Sequence, residues 1–132
     1  MKTLLAALAL GGALTGALTV PAHAFRAQND LIVDGSGTEF HVQASPGQGA
    51  SQSWCAAGDY VIRDLGMAPT TRIWRTSEPP RRQGQGVSFS LTPEGAASKT
   101  GLLVLGAEGA SLTAAFAQQH CFRYPEQDDD DS

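Results

Sequence analysis

An uncharged apolar run over 3–20 opens the chain, and every later apolar stretch is shorter and changes period, from two residues to 3.6 and back. Two β-prone runs within 30–44 flank Asp34, Gly35, Ser36 and Gly37, a turn signal, so the pattern predicts a β-hairpin. The segment 45–52, with Pro46, Gly47 and Gly49, reads as a loop. From Ser53 the period becomes helical. Trp54, Gly58, Val61, Ile62 and Leu65 fall on one face at about 100° per residue, which predicts a helix over 53–65. Ser51 or Ser53 is placed to cap its start, and Gly66 followed by Pro69 to end it. Asp59 and Arg63, four apart on the opposite face, are expected to pair weakly in water. Gly58 costs about 1 kcal/mol against alanine in mid-helix, which implies a neighbour packed closely on it.

Alternation predicts strands over 70–76 and 87–91, separated by the Pro- and Gly-rich loop 77–86. The continuously apolar stretch 101–106 predicts a central strand covered on both faces. Residues 111–121 fit two periods. As a strand, Leu112, Ala114 and Phe116 share a face; the alanines and glutamines instead favour a helix capped by Ser111 or Thr113, with Cys121 just past its end. The predicted class is α+β: a small, mostly antiparallel sheet with one well-defined helix over about 53–65, a second helix as one reading of the C-terminal segment, and one disulfide.

The opening run has the composition of a secretory leader. Lys2 supplies a positive start, and Ala22-His23-Ala24 places small residues where a signal peptidase cuts. A membrane anchor of roughly 20 residues is the rival reading. Gly11, Gly12, Gly16 and the terminating Pro21, with no positive cluster to stop transfer, favour cleavage after Ala24. The expected organisation is a leader over 1–24, one domain over 25–125 and a disordered acidic tail over 126–132. Export to the periplasm, or secretion, follows from the leader. It also changes the reading of Cys55 and Cys121, which an oxidising compartment is expected to join as a structural disulfide. A bridge of that span contributes about 4 kcal/mol by loop entropy.

Charge matters only once it is located. Between residues 25 and 125 eight acidic residues balance eight basic ones, and five of the thirteen acidic residues lie in the tail. The body therefore lacks the basic field that sequence-independent nucleic-acid binding demands. The tail's four consecutive aspartates lack the spacing of a calcium loop. The tail is expected to fold back onto the arginines and compete with other anions, so that deleting 126–132 raises anion affinity at low salt.

Candidate chemistry is sparse. Beyond the leader there are two histidines, His41 and His120, and no ligand pair at metal spacing, so neither metal nor cofactor is expected. No serine sits in a nucleophile elbow, although a serine with His41 or His120 and an aspartate remains a possible catalytic set. Paired glycines at Gly35 and Gly37, and at Gly84 and Gly86, read as turns rather than phosphate loops. The most specific feature is Arg72, Trp74 and Arg75 followed by Arg81 and Arg82: four of the body's eight basic residues within eleven positions. Such a cluster suits an anion, an anionic glycan or an envelope protein. The plainer alternative places Ile73 or Trp74 in the core with the arginine heads in water. The expected function is a small exported, non-enzymatic binding or accessory domain. A small hydrolase of envelope polymers using His41 or His120 is the alternative, and an inhibitor of an exported enzyme would fall within the binding class.

Overall fold

The computed structural model describes residues 24–103 and 109–122. Residues 1–23 of the expected leader over 1–24, residues 104–106 of the apolar stretch and the expected acidic tail over 126–132 lie outside the described residues. In chain order the elements are β1 (Ala24–Arg26), β2 (Ile32–Ser36), β3 (Glu39–Val42), α1 (Ala50–Asp59) continuing as one π-helical turn (Tyr60–Asp64), β4 (Arg72–Arg75), β5 (Val87–Ser90), β6 (Ser111–Thr113) and α2 (Ala114–Gln119). The strands form a six-stranded sheet in the order β1-β2-β3-β5-β4-β6, and every neighbouring pair is antiparallel.

The β2–β3 hairpin forms where the alternation placed it, but its turn lies further along. Ser36 pairs with Glu39, so Gly37 and Thr38 make a two-residue turn with Gly37 at φ +67°, while Asp34 and Gly35 stay in the strand. β1 adds an outer strand, with Ala24 opposite Asp34 and Phe25 opposite Val33.

Alternation along the strands makes a dry face and a wet one. Val33, Phe40, Val42, Ile73, Val87, Phe89 and Leu112 are buried beneath the helices, where Trp54, Ala57, Tyr60 and Val61 complete the core. Trp54 meets Phe89 edge to face at 4.8 Å, and Phe40 lies between Tyr60 and Phe89.

The main helix begins earlier than its period suggested, at Ala50, and neither Ser51 nor Ser53 caps it. Gly49 is the N-cap, and Gln52 reaches back so that its Oε1 accepts from the Gly49 N–H at 2.7 Å. Ser53 is buried instead, accepting from Gln48 Nε2 at 2.7 Å. The final turn widens, with the Leu65 N–H reaching Tyr60 O, and Gly66 in the left-handed region ends it.

Asp59 does not pair on a wet face. Its carboxylate is fully buried and accepts from Gln28 N–H, Gln28 Nε2, Gln118 Nε2 and Arg63, while Arg63 remains half-exposed. The π-helical turn and the arrival of α2 convert the expected polar side of the helix into an interface.

The C-terminal segment realises both of its periods in succession. Leu112 is the buried centre of β6, and Thr113 then caps α2, its Oγ1 accepting from Phe116 N–H at 3.2 Å. Cys121 lies just past α2 and is joined to Cys55. Gly58 faces α2 backbone: a Cβ there would lie 2.7 Å from Ala114 O and 2.9 Å from Ala117 C. The predicted central strand does not form over Gly101, Leu102 and Leu103, which are irregular, with Leu103 wholly exposed. The sheet position next to β4 is taken by β6.

Candidate functional site

β4 sorts the arginine cluster onto two faces. Ile73 and Arg75 point into the core side, whereas Arg72 and Trp74 are half-buried on the other face, where Arg72 Nη1 donates to Ser111 Oγ at 2.8 Å. Arg75 therefore does not keep its head in water. It is 1 % exposed, in the same cross-strand row as Phe40 and Phe89. Its Nε donates to Ser77 O at 2.7 Å and its Nη1 to Thr100 O at 3.1 Å. The Thr100 carbonyl also accepts from Trp54 Nε1 at 3.0 Å, so one oxygen ties α1, β4 and the 98–103 segment together. Arg75 Nη2 is buried and has no partner among the described residues.

Arg75 belongs to the wall of a cavity of about 530 Å³, which is shared with Arg81, Lys99, Gln48, Gly49 and Ala50 and with the apolar surfaces of Pro79, Pro80 and Val87. Gly101 completes that wall at φ +86°. A Cβ there would sit 2.7 Å from Arg75 Nη1, so the residue must be glycine for the segment to close over the guanidinium. Arg81 braces the opposite side. It donates from Nε to Gln48 O, from Nη2 to Ser45 O and from Nη1 to Gln85 O, at 3.0 to 3.1 Å. Arg82 stands exposed on the loop beyond.

The electrostatics favour an anion. Burial pulls the Arg75 pKa below the ordinary guanidinium value, opposed by the field of Glu78. Glu78 does not neutralise it by contact: its oxygens accept from Ser98 N–H at 2.6 Å and Ser98 Oγ at 2.7 Å. Those bonds chiefly, with the fields of Lys99 and Arg75, hold Glu78 below the usual carboxylate range. Arg75 and Lys99 thus act on a carboxylate that is already engaged by Ser98.

The cluster of five divides accordingly. Arg75 and Arg81 meet at the cavity, Arg82 lies outside it, and Arg72 and Trp74 are on the other face of the sheet. Lys99, Gln48 and the start of α1 were not foreseen. The signal for them was faint: Gly101 after Lys99 and Thr100, and Gly49 ahead of a helix.

A second polar constellation lies on the wet face. Asp34, His41 and Ser88 are successive partners across β2, β3 and β5, and His41 Nδ1 is 2.9 Å from Ser88 Oγ. They line a depression with Ser36, Glu39 and Thr76. Asp34 is turned to Gln43, which donates to it at 2.6 Å, rather than to the imidazole. His120 sits at the end of α2, its Nδ1 3.1 Å from Phe116 O. Among the described residues no group of three or more His, Cys, Asp or Glu side chains is placed to hold a metal ion.

No family model, no curated protein and no solved structure matches this chain.

Proposed function

We propose that this chain is a small exported, non-enzymatic binding domain of the periplasm, and that it engages its partner at the cavity walled by Arg75, Arg81 and Lys99. The observation that carries the reading is the Arg75 guanidinium, which is buried and, among the described residues, has no carboxylate in contact and one nitrogen without a partner. Burying an uncompensated charge costs stability, and such a cost persists where a ligand gains from it. Export is supported by the apolar leader with its Ala22-His23-Ala24 site and by the Cys55–Cys121 disulfide. Among the described residues no helix is long and apolar enough to cross a membrane. An envelope protein or an anionic glycan are the partner classes that suit the charge.

The hydrolase reading draws on the His41–Ser88 contact. Three features favour binding over it. The serine meets Nδ1 rather than the Nε2 that a serine triad uses, Asp34 accepts from Gln43 rather than from His41, and the Ser88 N–H is committed to Ser77 Oγ rather than to an oxyanion hole.

The test is a photoreactive side chain at Gln83, on the cavity rim, compared with one at Thr38 in the far hairpin turn, in cells exporting the full chain. A discrete adduct from position 83 and none from 38, or a small molecule retained in native mass spectra and lost on Arg75→Lys, supports the reading. Neither, together with hydrolysis of envelope polymer abolished by Ser88→Ala, overturns it.

A further inference from the structure

We propose that the group this cavity takes is an oxyanion borne on a small organic body, a carboxylate, sulfate or phosphate ester, seated between Arg75 and the first turn of α1; this rests on the binding reading above. The first reason is charge. Arg75 Nη2 is sealed from solvent and has no hydrogen-bond partner among the described residues, and no carboxylate among them lies within ion-pair distance of it. Arg81 spends its donors on the carbonyls of Gln48, Ser45 and Gln85, so it adds positive field with no carboxylate in contact among the described residues. Lys99 adds a third cation, and Glu78, held by Ser98, subtracts one.

The second reason is the helix. Gly49 and Ala50 belong to the cavity wall; the Gly49 N–H is taken by Gln52 Oε1, and the N-cap glycine offers no side chain to the amides that follow it. Those donors and the positive end of the helix dipole add to the guanidinium at one place. The third reason is size. A cavity of about 530 Å³ exceeds what an inorganic ion fills and falls in the range of small-molecule sites. Pro79, Pro80 and Val87 supply apolar wall for a body behind the charged group.

The experiment is calorimetric titration of the full chain at low ionic strength with glucuronate, with glucose as its neutral counterpart, and with inorganic sulfate. Glucuronate is expected to bind one to one, more tightly than sulfate, and glucose not to bind. Lys99→Gln, which changes an exposed side chain, is expected to weaken glucuronate about threefold. Arg75→Lys, which keeps the charge but loses the planar fork, weakens it about tenfold. If Arg75→Lys fails to fold, Lys99→Gln and the neutral sugar carry the test alone. Equal binding of glucose and glucuronate, or no binding of either anion at millimolar concentration, overturns the proposal; glucuronate no tighter than sulfate overturns the organic body. Failure of both anions with the position-83 adduct intact sinks this inference alone, whereas loss of both sinks the binding reading too.

Discussion

At Asp59 a carboxylate with no exposed surface joins the β1–β2 connection through Gln28, the main helix through Arg63 and the C-terminal helix through Gln118. Burial alone would raise its pKa, but the Arg63 bond, the Gln28 N–H and Gln118 outweigh burial and leave it lowered. The sign of the pH dependence follows. A carboxyl whose folded pKa lies below its unfolded value of about 3.9 contributes stability fully above that value, and loses it as the pH falls through the lower folded pKa. Asp59→Asn is therefore expected to cost roughly 2–3 kcal/mol at neutral pH in urea unfolding, with the gap to the parent shrinking below about pH 4. A gap that stays constant to pH 2 would contradict this role. The pairing with Arg63 was legible beforehand, but the burial of Asp59 and its bonds from Gln28 and Gln118 were not. An Asp and an Arg four apart are a surface pair on most helices, and only the arrival of a distant segment makes this one internal. Arg75 was obscured in the same way: alternation correctly set it opposite Trp74, but which face is dry depends on where α1 packs.

Among the elements, the contact between α1 and α2 has the least slack, because Gly58 lies directly on α2 backbone. Helix propensity favours Gly58→Ala by about 1 kcal/mol, whereas overpacking against backbone costs typically 1–3 kcal/mol. The packing cost is expected to win, so Gly58→Ala lowers the urea midpoint; a raised midpoint would mean that α2 yields without loss. The close neighbour of Gly58 was legible in its sequence, though not its identity. Elements defined by local periodicity were legible as well: the hairpin, the main helix and the Val87–Ser90 strand follow from alternation and turn chemistry. What local pattern could not resolve was competition for the sheet position beside β4. The apolar 101–103 looked the better strand, but Trp54 and Arg75 both hold the Thr100 carbonyl, and Gly101 turns at φ +86° over the guanidinium. That commits the segment to the cavity wall and leaves the ladder to the shorter β6.

For the molecule as a whole, a single bridge closes the domain by tying Cys55 of α1 to Cys121, two residues past α2, across a sequence separation of 66. Loop entropy puts its contribution at about 4 kcal/mol, a large share of the roughly 5–15 kcal/mol that holds a small domain together. Thermal unfolding with and without reductant is expected to show a fall of the midpoint by well over about 10 °C on reduction, taking roughly 4–8 °C per kcal/mol for a domain of this size. An unchanged midpoint would make the bridge incidental to stability. The disulfide fits an exported protein, and Arg75, buried with no carboxylate in contact among the described residues, is the group whose presence stability alone does not explain. The most direct test of that role is to follow backbone amide resonances of the full chain by NMR during titration with glucuronate. Saturable shifts concentrated at Gly49, Ala50, Lys99 and Gly101, absent with glucose, are the predicted result; shifts centred on His41 and Ser88, or none, would contradict the account.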